Sequence, residues 1–318
     1  MKLGWDINKE ILGGPNLFYQ ACKTDDLKKI NFIIECGLNL EVHGTRGLDY
    51  ACSNSSFDVV DRLLQIGVKL NHMIIFEVIA RKKHAILERL ILTEGVNVNL
   101  KEEYGKKRWP IHAAAEIGSI KMVQFLIENG ANFHAVDDEG NSILNYACYS
   151  KDNTKLLEYL FESGFDFTIQ NKQNMTPLLA AIHKKNRSAA KFLIKNKAAL
   201  NVTDSNGDWP LHICAKKDEY YLMKYLIIEG VDVNIKNQEG ETPLHLTYKF
   251  HDERELNDIC ELLLDNGAEI NVLDKNGNSP LHSLRYFISN DLKRRFINSG
   301  ADLTRYNDKI LEEMIRWY

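Results

Sequence analysis

From Gly207 to Asn234 the chain reads GDWPLHICAKKDEYYLMKYLIIEGVDVN. A polar turn leads to Trp209-Pro210. A short helix with small residues follows, then an apolar second helix, then Gly230 and a polar tail. Proline loses nothing in the first helical turn, where its missing N–H would have no intrahelical partner. Glycine just past a helix supplies the left-handed residue that ends it. The stretch is a helix–turn–helix unit punctuated at both ends.

The unit recurs. Pro110, Ile143, Pro177, Pro210, Pro243 and Pro280 share one place, at steps of 33, 34, 33, 33 and 37, and five of the six prolines fall on this phase. Gly37, Gly67, Gly95, Gly130, Gly164, Gly230, Gly267 and Gly300 each follow an apolar helix, and Lys197 fills the remaining slot. Such a period signals stacked supersecondary units, each in contact only with its neighbours.

The unit starts are Trp109-Pro110-Ile111-His112, Thr176-Pro177-Leu178-Leu179, Trp209-Pro210-Leu211-His212, Thr242-Pro243-Leu244-His245 and Ser279-Pro280-Leu281-His282. The unit ends include Gly130-Ala131-Asn132, Gly230-Val231-Asp232-Val233-Asn234 and Gly267-Ala268-Glu269-Ile270-Asn271. On these motifs the chain resembles the ankyrin repeat family. The resemblance covers roughly residues 14–308 and is weakest in the first three repeats, where Leu17, Gly47 and Ile75 stand where proline is expected. It implies an all-α solenoid of about nine helix–turn–helix units with β-hairpin-like turns.

The expected organisation is a capping segment at 1–15, an array over 16–305, and a closing helix at 306–318. The repeats run 16–45, 46–72, 73–105, 106–138, 139–172, 173–205, 206–238, 239–275 and 276–305. Glycine steps of 30 and 28 predict truncated hairpin fingers in repeats 2 and 3. Repeat 4 opens on a basic tip, Tyr104-Gly105-Lys106-Lys107-Arg108-Trp109, and repeat 8 carries four extra residues between its helices, within Lys249–Glu255. Insertions in solenoids fall on one face and are often functional.

The chain has 318 residues, 44% hydrophobic and 26% charged, with net charge −4. That composition is ordinary for a soluble protein and exerts no global pull on nucleic acid or an anionic membrane. The greasiest stretch, His72 to Ala80, is far too short to span a bilayer. The N-terminus lacks the basic region and apolar core of a secretory signal. A monomer in a reducing, cytoplasmic compartment is expected. Cys22, Cys52 and Cys148 occupy one inner-helix position, with Cys214 one residue earlier in its repeat. Stacked repeats hold such positions about 8–10 Å apart, too far for a disulfide.

No phosphate-cradling glycine loop, nucleophile elbow or zinc-binding His pair occurs. The repeated His112, His212, His245 and His282 lie too far apart to share a metal ion, whose bonds to imidazole are about 2 Å. The resemblance gives them a bridging role between neighbouring repeats. No enzyme, cofactor or metal is expected.

The resemblance leaves the hairpin tips and the exposed ends of the inner helices as a concave binding groove along repeats 4–9. The candidate partner-binding residues are Trp109, Trp209, Tyr149, Lys184, Lys216, Lys217, Lys249, Phe250 and Tyr286. Interfaces enrich exposed aromatics, and the lysines predict a protein partner with acidic residues. Trp109 and Trp209 replace a threonine whose hydroxyl would cap the inner helix, a loss of about 1 kcal/mol. Their indoles either pack over adjacent hairpins or anchor a partner. If the source is an intracellular bacterium or a large virus, the resemblance suggests an effector acting in the host cytosol. The alternative is a nucleotide or oligonucleotide sensor using Lys184, Lys216, Lys217 and Phe250. Asn234 and Asn271 also sit in a pattern resembling ankyrin substrates of an asparagine hydroxylase, although asparagine is equally a plain turn former.

Overall fold

The computed structural model describes residues 8, 14–54, 56–150, 154–196, 198–249, 253–284 and 289–304, and among them every regular element is a helix. The helices come in pairs. The first four are α1 (Gly14–Lys23) with α2 (Leu27–Glu35), α3 (Leu40–Asn54) with α4 (Phe57–Gln65), α5 (Ile74–Ala80) with α6 (His84–Leu92), and α7 (Pro110–Glu116) with α8 (Ile120–Glu128). Next come α9 (Ile143–Tyr149) with α10 (Thr154–Glu162), α11 (Pro177–His183) with α12 (Arg187–Lys195), and α13 (Pro210–Lys217) with α14 (Tyr220–Ile228). A 3₁₀ helix at Pro243–Lys249 pairs with α15 (Glu253–Asp265), and α16 (Pro280–Leu284) pairs with α17 (Asn290–Asn298). Each proline on the sequence phase opens its helix.

The chain falls into two units, Met1–Asp138 and Glu139–Tyr318. In the first, the inner helices α1, α3, α5 and α7 stack in chain order, and α4 lies on α6. In the second, α9, α11, α13, the 3₁₀ helix and α16 form an inner row, while α10, α12, α14, α15 and α17 form an outer row. Position dictates composition. Helix α11 has neighbours on three sides, and Leu178, Leu179, Ala180, Ala181 and Ile182 are all buried. Outer helices bury one stripe, as α14 does with Leu222, Met223 and Leu226. Each large aliphatic side chain so buried is worth about 1.5–3 kcal/mol.

Between repeats the chain makes tight fingers closed by a side chain. Asp204 Oδ1 accepts from the N–H groups of Asn206 and Asp208, at 2.9 and 3.0 Å, and the Asp204 N–H donates to the Asp208 carbonyl at 3.1 Å. Asn171, Asn237 and Asp274 repeat this construction. Asn and Asp suit the place because their short side chains hydrogen-bond the backbone two residues on.

Two expectations are corrected. Repeat 2 has no truncated finger: α3 opens at Leu40, capped by Asn39 Oδ1, which accepts from Glu41 and Val42 at 3.0 and 3.3 Å. Glycine permits the resulting close approach, since a Cβ on Gly47 would stand 2.2 Å from Phe18 Cε1. In repeat 8, α15 runs for 13 residues where its counterparts in repeats 4–7 run for 9, so Glu253, Arg254 and Glu255 extend a helix rather than a loop. The closing helix expected at 306–318, most of the segment at 1–15, Phe250 and Tyr286 lie outside the described residues. So does the side chain of Lys249.

Candidate functional site

Three of the repeated histidines, His112, His212 and His245, are bridges. His112 Nδ1 accepts the Trp109 N–H at 3.3 Å, and its Nε2 donates to the Ala135 carbonyl at 2.9 Å. His212 joins Trp209 to Glu241, and His245 joins Thr242 to Asn278, in the same way. One ring nitrogen accepts and the other donates, so each imidazole is neutral. Burial holds all three below the ordinary histidine value, His112 at about 4. In repeat 5, Asn145 takes over: Oδ1 accepts the Ser142 N–H at 3.0 Å and Nδ2 reaches the Met175 carbonyl at 3.4 Å.

Where tryptophan replaces threonine, the histidine still satisfies the helix-start N–H and the indole does something else. Trp209 Nε1 donates to the Lys236 carbonyl at 3.0 Å, on the next finger. Trp109 does the same to Val136 at 3.1 Å, with the Lys101 amine 5.4 Å above its ring. Both rings are half-buried. Thr176 keeps the ordinary cap, accepting the Leu179 N–H at 3.2 Å.

The lysines divide. Lys216 is half-buried and ion-paired to the buried carboxylate of Asp208, whose other oxygen accepts from Asn237 Nδ2 at 2.9 Å. The expected lysine band is thus one charge weaker, because this amine neutralises a carboxylate inside the repeat. Lys184 stays exposed, its amine 4.7 Å over the ring of half-buried Tyr149, which meets Tyr146 edge-on at 5.5 Å. Lys217 is half-buried beside His183, which burial and that lysine hold below its ordinary value. At the next turn the buried Glu219 accepts from Arg187 Nε at 2.7 Å. Burial, the hydrogen bond that protonated Asp218 donates to Glu255, and the charge of that carboxylate push Asp218 up to about 7.

Asn234 and Asn271 are bridges as well. Asn234 Nδ2 donates to the Gly267 carbonyl at 3.0 Å and its Oδ1 accepts the Glu269 N–H at 2.8 Å. Asn271 makes the matching pair with Gly300 and Asp302, and Asn99 with Gly130 and Asn132. The amides that resemble hydroxylation sites therefore tie one repeat to the next.

Tyr104 was absent from the sequence-based set. It sits 84% exposed at the tip of the finger before α7. The signal was present in the spacing: Asn99 to Pro110 is 11 residues, against 9 from Asn201 to Pro210 and from Asn234 to Pro243. Arg108 braces this finger through Glu102, at 2.8 and 2.6 Å, and through Glu116.

The cysteines take no part in surface chemistry, Cys36 aside. Cys22, Cys52, Cys148, Cys214 and Cys260 are buried thiols, none in a disulfide. Burial raises all five thiols, Cys22, Cys52 and Cys260 to about 12. Among the described residues, no helix is long and apolar enough to cross a membrane.

The histidine bridges, the stacked pairs and the fingers define one class of protein, and comparison with known sequences agrees. The family described as ankyrin repeats (3 copies) matches residues 75–171, 150–237 and 211–307. The chain belongs to the ankyrin repeat family, a protein–protein interaction fold. It is 32% identical over 145 residues to a putative ankyrin repeat protein of Borreliella burgdorferi, covering 45% of this chain and 63% of that protein. It is 29% identical over 114 residues to mouse rabankyrin-5, covering 36% of this chain and 10% of that protein. The chain thus spans less than two thirds of either relative. The crystal structure of the human ASB11 ankyrin repeat domain superposes with a TM-score of 0.57 at 23% identity, over 76% of this chain and 96% of that one.

Proposed function

We propose that this chain is a non-catalytic scaffold that holds a partner protein on the exposed ends of its inner helices. The observation that carries the reading is the Tyr149–Lys184 pair in the second unit. An exposed amine 4.7 Å over a half-buried aromatic ring offers a cation and an apolar surface together. Aromatic anchors give affinity and flanking charge steers approach, so the partner presents an acidic residue beside an apolar one. Lys217 continues this surface one repeat on. The buried polar groups support the non-catalytic reading, because His112, His212 and His245 spend both ring nitrogens on bridges.

Affinity capture tests this. The native chain retains a defined protein, and Tyr149→Ala with Lys184→Glu reduces retention about tenfold, a change of about 1.4 kcal/mol. Equal retention by both forms overturns the reading. Retention of short RNA that falls steeply with salt replaces it with the oligonucleotide sensor.

A further inference from the structure

The outer row of the second unit departs from its own pattern at repeat 7. Two slots, seven residues apart, hold polar or charged side chains in the other helices of this row. They hold Lys155 and Glu162 in α10, Ser188 and Lys195 in α12, Asp258 and Asp265 in α15, and Asp291 and Asn298 in α17. In α14 the same slots hold Tyr221 and Ile228, which are 59% and 69% exposed. With Lys224 and Tyr225 between them, they form one stripe at i, i+3, i+4 and i+7. A helix apolar on all sides belongs in a core, yet α14 faces solvent with this stripe.

The surroundings say what would cover it. Helix α12, which packs beside α14, contains no acidic residue and turns Arg187, Lys191 and Lys195 outward. Arg187 is taken by Glu219, and its guanidinium lies 5.2 Å over the Tyr221 ring, fixing that ring in place. Lys191, Lys195 and Lys224 have no ion-pair partner among the described residues. On the other flank, α15 exposes Asp258, Glu261 and Asp265. The field therefore favours anions on the α12 side of the stripe and repels them on the α15 side. Packed helices lie about 8–10 Å apart, leaving a groove in which a third helix can seat its apolar side.

We propose that the groove between α12 and α14 docks an acidic amphipathic helix of a partner protein. Its apolar stripe covers Tyr221, Tyr225 and Ile228, and its carboxylates face Lys191, Lys195 and Lys224. This surface shares no residue with the Tyr149–Lys184 surface, so either can fail while the other stands.

The test is fluorescence anisotropy of the full chain against a labelled peptide of about four helical turns. The peptide carries leucine at i, i+3, i+4 and i+7 of each repeat and glutamate elsewhere. Saturable binding is expected, weakened about tenfold by Tyr221→Ser with Ile228→Glu and about tenfold by Lys191→Glu with Lys195→Glu. Tyr149→Ala with Lys184→Glu leaves it unchanged. The side chains substituted in α12 and α14 are exposed, so those variants melt with the native chain. Equal binding by all forms overturns the proposal, as does equal binding of a peptide with lysine in place of glutamate. Absence of saturable peptide binding also overturns it. If phosphatidylserine vesicles sediment with the chain in a Tyr221- and Ile228-dependent manner while the peptide does not bind, the surface is a membrane contact instead.

Discussion

The indole Nε1 of Trp109 donates to the main-chain carbonyl of Val136 at 3.1 Å, twenty-seven residues further along the chain. Trp209 and Lys236 stand in the same relation at 3.0 Å. Loss of the threonine cap is thereby offset by a bond to the neighbouring finger. Trp109→Phe and Trp209→Phe keep the apolar ring and delete the donor. Each should cost about 0.5–1.5 kcal/mol, read as a lower denaturation midpoint with unchanged slope.

The turns between paired helices contain a removable strain. Lys82 and Lys185 occupy the left-handed region at φ 58° and 55°, in the slot that Gly118 fills at 69°. A side chain there crowds the following carbonyl. Lys82→Gly and Lys185→Gly should each stabilise the chain by roughly 0.5–1 kcal/mol, net of glycine's greater freedom when unfolded. Asp25→Gly should not, because Asp25 Oδ1 accepts from both the N–H and the hydroxyl of Ser56, at 3.0 and 2.8 Å. Thermal melts of the three variants check the contrast.

Gly47 is where α3 meets α1. A Cβ there would stand 2.2 Å from the buried Phe18 ring. Gly47→Ala should cost about 1–3 kcal/mol by overpacking, despite alanine's better helix propensity. A gain in stability would show that α1 moves aside freely.

Acidification should loosen the first unit. His112 titrates at about 4 when folded against an ordinary 6.5. Between those values the unfolded chain binds more protons, so stability is full above pH 6.5 and is lost as pH falls toward 4. The shift corresponds to about 3 kcal/mol. His212 and His245 act in the same sense. Asp218, raised to about 7, acts oppositely, favouring the folded state as pH falls below that value. Nitrogen chemical shifts of His112 across this range should show a neutral ring protonated at Nε2.

The period, the helix starts and the all-helical class were legible in the sequence. These features are local: proline's fixed φ, glycine's left-handed freedom and the three-and-four spacing of apolar residues act within one turn of chain. The histidine bridges were legible through resemblance, since a residue repeated at one phase must meet the same neighbour each time.

What became of individual side chains was not legible. Lys216 reads as one of two adjacent surface lysines, yet Asp208, eight residues earlier, draws it inward. The repeat 2 finger reads as a short turn, yet it is helix, because Gly47 lets α3 lie against Phe18. Trp109 could have been packed or free until Val136 was placed beside it. By itself, then, the sequence determined the period, the helix starts that proline marks, and that the units stack. Only the tertiary structure decided which polar and aromatic groups are spent on the stack and which stay on its surface. The reason is that those partners lie a repeat or a whole helix away, and their distance depends on how backbones pack rather than on any pattern along the chain.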